Sequence, residues 1–124
     1  MPVIDLTQLE TMTGGDASLA AEAIGIFRQS ADLWGRMLDS QIDPAHWADA
    51  AHAIKGAARS VGAMRLGEAC DAAEKLGRSG SATAAQAGVA LSAVKDCLGE
   101  AIGALAHVEH QLVMRRSFSG VVVM

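Results

Sequence analysis

The stretch Asp43-Pro44-Ala45-His46-Trp47-Ala48-Asp49-Ala50-Ala51-His52-Ala53-Ile54-Lys55-Gly56-Ala57-Ala58-Arg59-Ser60-Val61-Gly62 reads as one helix with two unlike faces. Asp43 before Pro44 is a strong start signal, because an aspartate N-cap supplies an acceptor and proline at the first helical position gives up an N–H that would be unpaired anyway. Gly62 is placed to stop the helix. At about 100° per residue, Trp47, Ala50, Ile54, Ala57, Ala58 and Val61 gather on one side, the apolar stripe of a helix packed into a core. His52 lies off that stripe, with Lys55 and Gly56 three and four residues on and Arg59 one further turn along. This second face is expected to be basic, polar and sterically open. A glycine inside a helix costs about 1 kcal/mol relative to alanine. Gly56 therefore points either to a partner that must come close to the imidazole or to packing against a neighbouring helix.

Working outward, helical periodicity continues on both sides. Asp5, followed by Leu6, Leu9 and Met12, predicts a short opening helix with Asp5 as N-cap and Gln8 placed as in a capping box. Asp16 caps a long helix predicted to reach about Gln41, with Ala20, Ile24, Phe27, Ala31, Trp34 and Leu38 as its stripe. After Gly62, the positions Leu66, Ala69, Cys70, Ala73 and Leu76 repeat at helical spacing, and Gly77-Arg78-Ser79-Gly80-Ser81 reads as a loop. A last helix is predicted over roughly 82–114, capped by Ser81. Four substantial helices on short connections predict an all-α, antiparallel four-helix bundle of up-down-up-down order with a short additional N-terminal helix. Residues 1–114 form the expected domain, and residues 115–124, with the Val-rich end Val121-Val122-Val123-Met124, are expected to be a flexible tail.

Composition narrows the function classes. The chain has 124 residues, 51% hydrophobic and 3% aromatic, enough for one core and suited to closely packed helices. A net charge of -4 argues against non-specific binding to nucleic acid or anionic membranes, although three of the ten basic residues lie between Lys55 and Arg65. No signal peptide or bilayer-length apolar run is seen, so the expected location is the cytoplasm. Cys70 and Cys97 fall at apolar helical positions without metal-ligand spacing and are expected to be buried free thiols. His107 and His110 stand three apart but lack a Glu-x-x-His pair, so no metal site is expected.

Antiparallel packing about a tight turn at Ala63 sets residues equally distant from it opposite one another: His52 lies eleven residues before, Glu74 eleven after. A carboxylate there fixes the imidazole tautomer and leaves the other ring nitrogen with an outward lone pair. The rival assignment makes Glu74 a solvated charge paired with Lys75 or Arg78. A nucleophilic histidine with a nearby cation suits phosphoryl transfer, which needs alignment and positive charge more than covalent help. Lys55 is the expected source of that charge.

The pattern His52-x-Ile54-Lys55-Gly56-Ala57-Ala58-x-x-Val61-Gly62, followed by Leu66, Cys70 and Glu74, resembles the histidine phosphotransfer (HPt) domain family of two-component phosphorelays, over roughly residues 4–112. The resemblance implies a covalent carrier without kinase activity of its own. His52 is the implied phosphoacceptor, Lys55 the residue that neutralises phosphate charge, and Glu74 the group that orients the imidazole. Ala48, Gly56 and Arg59 are the expected docking positions, although Arg59 departs from the small residue frequent in the family. The implied partners are response-regulator receiver domains and a histidine kinase. No cofactor of the chain's own is expected; Mg²⁺ belongs to the receiver, and the chain is expected to be a monomer. The alternative is a non-phosphorylated helical-bundle adaptor. A kinase dimerisation domain fits less well, because Ala53 follows His52 where an acidic residue is usual.

Overall fold

The structure, a computed structural model, describes residues 2–123. Five helices follow in order: α1 (Leu6–Met12), α2 (Ala17–Met37), α3 (Pro44–Ser60), α4 (Met64–Arg78) and α5 (Ala84–Arg115). Among the described residues there is no strand.

Local chemistry explains most boundaries. Side-chain oxygens of Asp5, Asp16 and Asp43 accept backbone N–H groups of the first turns of α1, α2 and α3, each such cap being worth about 1 kcal/mol. The predicted capping box at Asp5 is half formed, since Gln8 Nε2 donates instead to the Arg59 carbonyl at 3.4 Å. A full box occurs at α5, where Thr83 and Gln86 exchange side-chain and backbone bonds. Thr83, not Ser81, thus caps the last helix; the Ser81 N–H turns back to Ser79 Oγ at 3.3 Å. The second helix ends at Met37 rather than near Gln41, because the Asp39 carboxylate takes the Gln41 N–H at 2.9 Å and closes a local turn.

Three-, five- and six-residue connections turn the chain back on itself, giving the antiparallel bundle expected from the sequence. The helices close as a ring, α3 packing most extensively on α4, α2 on α5, α4 on α5 and α2 on α3. Trp47, Ile24, Ile54, Leu66, Val94 and Leu105, each 0–1% exposed, fill its centre. The short α1 covers the end at the α3–α4 turn, where the Asp5 N–H donates to the Gly62 carbonyl at 2.8 Å. Gly62 has φ +79°, and a Cβ there would sit 2.4 Å from the Asp5 carbonyl oxygen, so the turn requires glycine.

Two features position the site. Along the α3–α4 seam Gly77 leaves room for α3: a Cβ there would lie 2.8 Å from Ala48 Cβ and from Trp47 Cζ3. The two helices therefore approach closely, and side chains one turn further along can meet. The second feature corrects an expectation. Beyond Arg115 the chain does not continue as a free tail; Arg116 adopts a left-handed conformation (φ 55°) and residues 117–123 fold back. Gln111 Nε2 donates to the Val122 carbonyl at 2.7 Å while its Oε1 accepts the Val122 N–H at 3.0 Å, and Val121 is buried. This reciprocal amide pair satisfies a buried glutamine and a segment of backbone together.

Both cysteines are free thiols; burial pushes the Cys70 thiol up to about 12, while Cys97 is only half-buried.

Candidate functional site

His52 sits mid-helix on α3 with its side chain 64% exposed. Nδ1 lies 2.8 Å from Glu74 Oε2 on α4, as counting from the turn predicts. Nε2 has no hydrogen-bond partner among the described residues. Gly56, one turn on, is exposed, and a Cβ built there meets nothing within 4 Å. Packing against a neighbouring helix is therefore not what selects glycine at this position.

Glu74, only 12% exposed, is held from three sides. Lys55 Nζ donates to Oε1 at 2.6 Å and Arg78 Nε to Oε2 at 3.2 Å, so the oxygen facing the imidazole is also bonded by a guanidinium. The Lys55 hydrogen bond holds the Glu74 carboxyl below the usual carboxylate range against the opposing effect of burial, with Arg78 and the His52 ring adding to the depression. The site carboxylate is ionised at neutral pH, as an acceptor for Nδ1–H must be.

A family model for the Hpt domain matches residues 18–107. The chain belongs to the Hpt domain family. In keeping with that, its structure is similar to the crystal structure of the histidine phosphotransferase ShpA from Caulobacter crescentus, with a TM-score of 0.67 and 35% sequence identity over 91% of this chain and 96% of that one. A search of the curated proteins returns no match. The role that follows is histidine phosphotransfer in a phosphorelay, which ties this Hpt domain to two-component kinases and receivers.

The charge around the histidine of this Hpt domain differs from the basic face expected on α3 alone. Lys55 Nζ, 16% exposed, also reaches Asp71 Oδ1 at 3.3 Å; Arg78 reaches Asp49 Oδ1 at 2.9 Å; Lys75 pairs with Asp71 Oδ2 at 2.8 Å. Three cations (Lys55, Lys75, Arg78) thus meet three carboxylates (Asp49, Asp71, Glu74), and the cluster is neutral. Hydrogen bonds to Glu74 and Asp71 raise the Lys55 ammonium above its ordinary value, and those from Lys75 and then Lys55 lower Asp71. The lysine is cationic, with its charge directed at carboxylates rather than at solvent.

Of the expected docking positions, Gly56 and Arg59 are exposed, but Ala48 is not: it is 0% exposed, sealed under Gly77 of α4. Ala48 is therefore removed from the docking surface; Ala45 and Asp49 are exposed on that end of the helix. The Arg59 side chain lies along α4, its Cγ 3.5 Å from where a Gly67 Cβ would be. On the other flank, Ile26 and Leu33 of α2 are 59% and 58% exposed, and Ile26 and Trp34 form a shallow apolar groove with Ala57 and Ser60 of α3. Sequence reading missed Asp49, Asp71 and the apolar α2 flank. The available signals were the i, i+4 spacing of Asp71 and Lys75 and the seven-residue spacing of Ile26 and Leu33; Asp49 had none. No group of three or more metal-ligating side chains gathers among the described residues, and no helix is long and apolar enough to cross a membrane.

Proposed function

We propose that His52 Nε2 is the phosphoacceptor, taking a phosphoryl group from the aspartyl phosphate of a receiver domain or from a phosphorylated histidine kinase and returning it to another receiver. The observation that carries this is the 2.8 Å contact of Nδ1 with an ionised Glu74 on a ring whose other edge is open. Nδ1 keeps its proton against the carboxylate, so the Nε2 lone pair faces outward. That lone pair attacks phosphorus in line with the bond to the departing aspartate oxygen; the N–P bond forms, the P–O bond breaks, and the donor leaves as a carboxylate. The product is an imidazolium-like phosphohistidine whose Nδ1–H remains on Glu74, poised as a leaving group for the reverse step. Mg²⁺ is assigned to the receiver.

Lys55 contributes first by holding Glu74 in place and second through its positive charge beside the ring. Nζ spends two of its three N–H donors on Glu74 and Asp71, which leaves one for a phosphoryl oxygen. The receiver is taken to seat over Gly56, with the Ile26 and Leu33 flank on one side and Arg59 on the other, and the chain to act as a cytoplasmic monomer without kinase activity.

The test is transfer from a labelled phospho-receiver. Label should appear on the protein in a base-stable, acid-labile linkage and be absent from His52→Gln. Labelling that persists in His52→Gln refutes the site, and an unlabelled native protein against every receiver tried supports the adaptor reading instead.

A further inference from the structure

The guanidinium of Arg78 pairs with Glu74 as the rival assignment allowed, but it does so at a carboxylate only 12% exposed and reaches Asp49 as well. It leaves the last turn of α4 and spans to α3, with Nε on Glu74 Oε2 at 3.2 Å and a terminal nitrogen on Asp49 Oδ1 at 2.9 Å. Asp49 precedes His52 by three residues, so the acid that anchors the guanidinium and the imidazole stand one above the other on α3. Apart from the imidazole it is to orient, Glu74 would otherwise be tethered only at Oε1, by Lys55. A carboxylate held at one oxygen can rotate about its terminal torsion, which is broad and soft. Held at both, it cannot turn Oε2 away from Nδ1.

We propose that Arg78, braced on Asp49, is a positioning residue that fixes the Glu74 carboxylate against the imidazole and so selects the tautomer with Nε2 unprotonated. This deepens the phosphotransfer reading and rests on it for its consequence, but not for its measurement. Arg78 need not touch the phosphoryl group. Its rigid planar fork holds Glu74 and Asp49 in one fixed geometry, with Nε and a terminal nitrogen each aimed at its own carboxylate, which a single ammonium on a flexible stem does not reproduce. Asp49 makes its ion pair with Arg78, so its effect on the ring is expected to run through the guanidinium.

The experiment is ¹⁵N NMR of the His52 ring in the free protein at pH ~8.5, about two units above the ordinary imidazole value. The two nitrogen shifts report the tautomer ratio directly. The native protein should show mainly the Nδ1–H form. In Arg78→Ala the ratio should fall on the order of twofold to fivefold, the scale of one partly exposed ion pair. Arg78→Lys should recover only part of it. Asp49→Ala should reproduce a smaller loss, and the double variant should be no worse than Arg78→Ala alone, the non-additivity of two groups acting through one another.

A tautomer ratio unchanged in Arg78→Ala, while Glu74→Ala collapses it, overturns the proposal. So does an Asp49→Ala effect that adds in full to that of Arg78→Ala. Arg78 is half exposed, so the fold is expected to survive, and Arg78→Lys covers the case in which alanine does not. Phosphotransfer kcat/KM, measured in parallel, should fall in step with the tautomer ratio. Absence of any transfer in the native protein would strike at the phosphotransfer reading alone, because the ring nitrogens are read without a partner.

Discussion

Replacing Gly56 by alanine should make this protein more stable and less active. The backbone at Gly56 is helical, and an added Cβ meets nothing within 4 Å, so no clash offsets the gain in helix propensity. That gain is about 1 kcal/mol at an exposed interior position. Scaled by the unfolding entropy of a chain of this size, it corresponds to roughly 4 °C in Tm. Thermal melts of the free protein, followed by circular dichroism, measure it. The same empty space is where a receiver must approach His52, one turn away. A single methyl should raise KM modestly, and Gly56→Leu, which overfills the contact, should lower kcat/KM roughly fivefold to 150-fold, the range for 1–3 kcal/mol of steric misfit. Opposite signs for stability and transfer identify a glycine kept for a visitor rather than for the fold. Two results refute the reasoning: a Gly56→Ala protein that melts below the native one, or a Gly56→Leu protein that accepts phosphate at the native rate.

Three further outcomes follow from the packing and the charges. Gly77→Ala should destabilise by about 1–3 kcal/mol, since its Cβ would stand 2.8 Å from Ala48 Cβ and 3.0 Å from the Pro44 carbonyl oxygen; denaturant unfolding reads the loss, and phosphotransfer should drop as α3 and α4 part. Glu74 and Asp71 have lowered carboxyl values in the folded protein, so the unfolded chain binds more protons through the acid range; their contribution is complete above the ordinary values of 4.5 and 3.8 and is lost as pH falls below them. Urea titrations across that range should accordingly show a shallower pH dependence of stability in Glu74→Gln than in the native protein, and equal slopes would contradict the ion pairs. Gln111→Ala should cost about 1–2 kcal/mol by leaving the Val122 peptide without its side-chain partner; hydrogen exchange at the Val122 amide should accelerate in step, and an unprotected amide in the native protein would disprove the docked tail.

Legibility in the sequence tracked how local the determining physics is. The helix from Pro44 to Ser60 was readable because its signals, Asp43-Pro44 and Gly62, act on their own backbone. The His52–Glu74 pairing was readable because a three-residue connection leaves little freedom in how α3 and α4 align. The end of α2 was misjudged because the apolar stripe continues through Leu38, which is buried, although the backbone has left the helix and Asp39 has capped the following turn. The tail was misjudged because its partner, the Gln111 amide, is reached only through a left-handed Arg116. The error at Ala48 arose from assigning α3 a single buried direction when it is packed on both α2 and α4, which widens the buried arc. Lys55 lies beside His52 as its spacing predicts, but its carboxylate partners come from α4, and no reading of α3 alone shows them. The burial of Ala48 and the reach of Glu74 to the ring have one origin. Alanine against glycine at the Ala48–Gly77 crossing draws the helices together; that approach hides Ala48 from any partner, and by the same approach a glutamate side chain reaches the imidazole without water between. A bulkier seam would expose more of α3 for docking and leave His52 without the carboxylate that prepares it.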